Sequence, residues 1–120
     1  MHPKTRQVEP DITVVELGGH LNLGNTLMSI ETFIKGLIDA GARKIVVDVS
    51  GLNYTDSAGI GMLVSCTGHI DKKGGKMRIA APHGAVAKVF DVVHLHRITP
   101  IDADVESACQ NLSAAGGTAA

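Results

Sequence analysis

The stretch Lys44-Ile45-Val46-Val47-Asp48-Val49-Ser50-Gly51-Leu52, followed by Tyr54-Thr55-Asp56-Ser57-Ala58-Gly59-Ile60-Gly61-Met62-Leu63, carries the fold in miniature. Its first part, Ile45 to Val49, is an apolar, β-branched run of strand length. Downstream, Ile60, Leu63, Val64 and Ile70 recur at helical spacing. Strand, acid-serine, glycines and helix therefore follow in that order. A helix start presents unpaired backbone N–H groups and the positive end of a dipole, so Asp56 or Ser57 can cap it, and a phosphate is also accommodated there.

Working outward, Ile12 to Leu17 alternates as a strand, broken by Gly18-Gly19 before a short His20-Leu21-Asn22-Leu23 segment. Asn25 or Thr26 caps a helix whose apolar face is Leu27, Ile30, Phe33, Ile34, Leu37 and Ile38, and Gly41 stops it. Beyond the central helix, Lys72-Lys73-Gly74-Gly75 reads as its terminator, and Met77-Arg78-Ile79-Ala80 as another strand closed by Pro82. Val86, Val89, Phe90 and Val93 form the stripe of a third helix. Arg97-Ile98-Thr99 reads as an edge strand stopped by Pro100, and Asp102 as the cap of a last helix with Val105, Ala108, Cys109 and Leu112 inward. Alternating strands and helices imply crossover connections, hence mostly parallel pairing in an open α/β sheet of four to five strands covered by about four helices. The expected organisation is a single domain over residues 1–112 and a disordered, Gly/Ala-rich tail over residues 113–120.

Bulk properties narrow the function. A length of 120 residues suits one shared core. Eleven basic against twelve acidic residues leave no field to concentrate nucleic acid or an anionic membrane, and one Tyr, two Phe and no Trp remove the stacking platforms of a single-strand binder. No apolar run reaches the length of a membrane span and residues 1–11 lack a secretory pattern, so a cytoplasmic location is expected. Cys66 and Cys109 have neither metal nor disulfide-scaffold spacing and read as small buried residues.

Candidate chemistry is sparse. Gly59 and Gly61 start a G-x-G whose third glycine is replaced by Val64, with no Walker lysine following, which favours close packing over nucleotide binding. Ser57 lacks the G-x-S-x-G elbow, and His69 stands about 18 Å along the same helix, too far to act as its base. His94 and His96 can share a strand face as two zinc ligands, but a third ligand is not evident. Neither catalytic residues, cofactor nor metal is therefore expected, and the protein reads as a non-enzyme. On local chemistry alone, Ser57 is first of all a helix cap.

The central stretch closely resembles the core motif of the STAS domain, and more narrowly that of a bacterial anti-anti-sigma factor, or anti-sigma factor antagonist. Val15-Glu16-Leu17-Gly18-Gly19-His20-Leu21-Asn22 is similar to the family's early strand segment, and Gly74-Gly75-Lys76-Met77-Arg78-Ile79 and Val89-Phe90-Asp91 to its later turn and third helix. The resemblance implies that Ser57 is the phosphoacceptor of a partner-switching circuit. It implies as partners an anti-sigma factor serine kinase, which itself binds the ATP, and a serine phosphatase. The implied contact surface is Asp56, Ser57, Ala58, Gly59 and Ile60 with Gly19, His20 and Asn22, on a monomer or weak homodimer. Ala58 replaces a frequent second hydroxyl and narrows the acceptor to Ser57, whereas Asn22 in place of an expected Asp is expected to weaken phosphorylation or alter partner choice. His94 stands where a helix-ending glycine is common, so a differently built turn is expected. The alternatives are a non-phosphorylated structural STAS subunit of a signalling or lipid-transport complex, and a small-molecule or nucleotide module.

Overall fold

Ile45, Val46 and Val47 are each fully buried although neighbouring side chains in a strand point to opposite faces, so this strand is covered on both sides. The computed structural model describes residues 3–118, with side chains through Ser113. Five strands, β1 (Lys4–Val8), β2 (Ile12–Leu21), β3 (Lys44–Thr55), β4 (Lys76–Ala80) and β5 (Ile101–Asp102), lie side by side in chain order. β1 pairs antiparallel to β2, and every other pairing is parallel. Four helices complete the domain: α1 (Asn25–Asp39), α2 (Ser57–Lys72), α3 (Gly84–Val92) and α4 (Val105–Thr118).

Each parallel step is bridged by a helix, and crossovers of one hand put α1, α2 and α3 on one face of the sheet. That face holds the larger core: Val15, Leu17, Val47, Val49 and Ile79 meet Ile34, Ile38, Leu63, Ile70, Val86 and Phe90. On the other face α4 lays Ala108 and Leu112 over Ile12, Val14, Val46 and Ala80. Burying each large side chain of this kind is worth about 1.5–3 kcal/mol, so both covers hold the sheet. Arg78 adds a bidentate bond to Asp102 across β4 and β5, at 2.6 and 3.1 Å.

The elements depart from the sequence reading at several points. β1 has no expected counterpart, because its residues 4–7 are exposed and it is held by backbone pairing rather than by an apolar face. Gly18 and Gly19 do not end β2, which continues to Leu21, while β3 runs on past Val49 to Thr55 with two register shifts between them. The last strand follows Pro100 instead of preceding it. Residues 95–97 form a 3₁₀ turn, Ile98 and Thr99 donate their N–H groups to Leu95, and the Pro100 carbonyl accepts from Ile79 at 2.8 Å. Asp102 therefore lies in β5, and Asp104 caps α4 through Ser107 N–H at 2.7 Å. α4 continues as helix beyond Leu112 to Thr118, and residues 119–120 of the expected tail lie outside the described residues.

His94 occupies the left-handed region (φ 56°, ψ 41°), so the turn after α3 keeps the conformation that a glycine would favour. A side chain there costs about 1–2 kcal/mol. His94→Gly should therefore raise stability by about 0.5–1 kcal/mol once the extra freedom of glycine in the unfolded chain is offset. Comparing urea unfolding midpoints measures this, and an unchanged or lower midpoint would refute the strain.

Candidate functional site at the start of the central helix

The apolar run of β3 ends at Thr55, and the chain turns into α2 within one residue. Asp56 makes the turn. Its backbone is extended (φ −118°), one carboxylate oxygen accepts the Gly59 N–H at 3.0 Å, and the other accepts the Leu23 N–H at 3.1 Å. The choice left open between Asp56 and Ser57 is thus resolved: Asp56 is the cap, and Ser57 is the first helical residue. The Gly59 N–H first, then that of Leu23, holds the Asp56 carboxyl below the usual carboxylate range.

The same turn binds the end of β2. Asp56 N–H donates to the Leu21 carbonyl at 3.3 Å, and the Thr55 hydroxyl donates to that carbonyl at 3.0 Å. A Cβ on Gly59 would lie 2.5 Å from the Leu21 oxygen and closer still to Thr55 Oγ1, so only glycine lets the helix start sit against both strands. Gly61 has open space at the corresponding point and is exposed.

Ser57 is exposed, and its hydroxyl makes no hydrogen bond among the described residues. His69 is engaged with Asp39 at 2.8 Å and His83 with the Ser50 carbonyl at 2.7 Å, so neither imidazole addresses it. Gly19, His20 and Asn22 are exposed, and the bonds from Asp56 to Leu21 and Leu23 bring their segment alongside the helix start. Ala58 and Ile60 are half-buried. Gly59, expected among the contact residues, is instead buried. His94 and His96 meet edge-on, 6.0 Å between ring centres, at the 3₁₀ turn and not on a strand.

Three exposed apolar residues escaped the sequence reading, Leu23 and Tyr54 beside this turn and Met28 in the first turn of α1. Leu23 is 78% exposed, Met28 67% and Tyr54 47%, and the Tyr54 ring tilts against His20 with centroids 5.6 Å apart. Helical spacing was the usable signal for Met28, since it follows Leu27 and so falls off the buried stripe of Leu27, Ile30, Ile34 and Ile38.

Residues 3–108 match the model of the STAS domain. The chain belongs to the STAS domain family. A protein of Thermotoga maritima provisionally described as an anti-sigma factor antagonist is 22% identical over 88% of this chain and 94% of its own length. The crystal structure of such a Thermotoga maritima protein matches with a TM-score of 0.83 at 21% identity, covering 92% of this chain and 94% of that one. The phosphorylated form of the Bacillus cell fate determinant SpoIIAA matches with a TM-score of 0.70 at 24% identity, over 91% of this chain and 97% of that one. All share its fold.

Two outcomes test the turn. Gly59→Ala should cost about 1–3 kcal/mol through overpacking, whereas Gly61→Ala should be neutral or stabilise by up to about 1 kcal/mol. Equal effects on urea unfolding would contradict the close approach. For Asp56 the folded value lies below the unfolded one of about 3.9, so its contribution is complete above that pH and is lost as pH falls through the folded value. Asp56→Asn should accordingly flatten the acid limb of stability against pH, and carboxyl-carbon NMR of the wild type should show the depressed titration directly.

Proposed function

We propose that this domain is an anti-sigma factor antagonist. In its unphosphorylated form it binds an anti-sigma factor serine kinase through the surface around Ser57, which frees the sigma factor. Phosphorylation of Ser57 by the kinase, which brings the ATP, ends that binding, and a serine phosphatase restores it. The observation that carries the reading is an exposed, unengaged hydroxyl on the first residue of α2, beside a carboxylate whose two oxygens are both committed to backbone N–H groups. Membership of the STAS family and the likeness to anti-sigma factor antagonists support it. So does the likeness to SpoIIAA in both forms, with a TM-score of 0.70 against the unphosphorylated and against the phosphorylated structure.

The energetics suit a local switch. A phosphoryl group adds about −1.5 to −2 charge at pH 7 next to Asp56. Two like charges about 4 Å apart repel by about 1 kcal/mol in water and about 4 kcal/mol at an effective dielectric near 20. Each ~1.4 kcal/mol is tenfold in affinity, so one partly desolvated acidic contact is enough to release a partner. The start of α2 favours the added negative charge within the domain, so the fold has no need to rearrange. Leu23, Met28 and Tyr54 supply exposed apolar area for the bound state, and His20 and Asn22 its polar edge.

Incubation with the cognate kinase and ATP, followed by intact-mass analysis, tests the assignment. The wild type should gain one phosphoryl group and Ser57→Ala none, and Ser57→Asp should bind the kinase at least tenfold more weakly than the wild type. An unmodified wild type, or equal modification of both proteins, would sink it.

A further inference from the structure

The chain has six histidines, and their surroundings differ. Among the described residues His69 and His83 are tied into hydrogen bonds, and His20 lies against the Tyr54 ring. His94 and His96 instead meet each other, 6.0 Å between ring centres and 75° between ring planes, and no nitrogen of either ring has a hydrogen-bond partner among the described residues. Both are exposed, on either side of the buried Leu95, which belongs to the larger core. The backbone beneath them is fixed. His94 donates its N–H to the Asp91 carbonyl at 3.1 Å, its own carbonyl accepts the Arg97 N–H at 3.0 Å, and Ile98 and Thr99 both donate to the Leu95 carbonyl at 2.9 Å. A residue other than glycine in the left-handed region carries strain, and such positions gather where a ligand is held.

We infer that His94 and His96 form a two-imidazole clamp for a divalent transition cation of the zinc, nickel and copper class. Imidazole nitrogen suits these ions, whereas magnesium and calcium take oxygen ligands. With each metal–nitrogen bond about 2.0–2.1 Å long, two imidazoles on one tetrahedral ion have their ring centres about 5 Å apart. Closing from 6.0 Å takes about 1 Å, which rotation of two exposed side chains supplies while the backbone stays in place. Among the described residues no third histidine, cysteine or carboxylate joins the pair. Water therefore completes the shell, and the site is open where a structural zinc site would be closed. The clamp precedes β5 and the Ser57 turn follows β3; these strands run in one direction, so the two lie toward opposite ends of the sheet. Metal binding is thus independent of phosphorylation at Ser57.

Zinc chloride added to the full chain, followed by NMR of the histidine rings, tests the clamp. The ring signals of His94 and His96 should move together and saturate at one ion per chain, with Cu2+ binding more tightly and Mg2+ leaving them unchanged. His94→Gln and His96→Gln should each weaken Zn2+ binding at least tenfold, the cost of losing even an outer partner of a metal ligand. His2→Gln and His20→Gln should leave it unchanged. An unaltered urea midpoint for His96→Gln separates loss of the ligand from loss of the fold. No response at millimolar Zn2+, an equal response of all six histidines, which marks an adventitious ion only, or binding indifferent to His96→Gln would overturn the proposal.

Discussion

One carboxylate joins three elements. The side chain of Asp56 takes N–H groups from α2 and from the turn after β2, while its backbone N–H closes on β2 itself. A helix start always leaves backbone donors to be satisfied. Here the residue that satisfies one of them is also the residue that fixes the neighbouring loop, so the position of Ser57 is set from both sides. Gly59 is the steric half of the same constraint, because any side chain there would push the helix off Leu21 and Thr55. Most of the candidate surface inherits its geometry from these two residues.

What the sequence disclosed follows from which physical signals are local. The buried strand at Ile45 and the helices beneath it were legible because apolar periodicity records burial on one or both faces. Asp56, Ser57 and the glycines were legible because a turn from strand to helix demands such residues within a few positions. β1 was not, since an edge strand with residues 4–7 exposed carries almost no apolar pattern and depends on a partner strand for its existence. The continuation of β2 through Gly18 and Gly19 escaped for a related reason. Glycines usually signal a break, yet parallel pairing with β3 carried the strand across them, with the extra residues accommodated in β3. The last strand was displaced to the far side of Pro100 because the proline contributes its carbonyl to the ladder, which its missing N–H does not prevent.

The site itself divides in the same way. Residues whose role is set by backbone chemistry could be found in the sequence, whereas Leu23, Met28 and Tyr54 became visible only through their exposure. Exposure is a property of the assembled fold: an apolar residue reads alike in sequence whether it enters the core or faces water. Gly59 shows the converse, since a glycine in a motif looks available for contact until its surroundings are seen to be occupied.

The layering suits the charge that the proposed phosphorylation of Ser57 would add. Both cores lie against the faces of the sheet, one under α1, α2 and α3 and the other under α4, while the Ser57 turn sits at the end where β3 stops. Open parallel sheets gather their functional groups at the carboxyl ends of the strands, because the loops there are anchored at both ends yet face solvent. In the proposed switch, a phosphoryl group at that end would meet helix N–H groups on the protein side and the partner on the other. The electrostatic change would therefore be felt first across the proposed interface and least within the fold. The proposed switch then asks for no rearrangement of the fold, so no binding energy would be diverted into one.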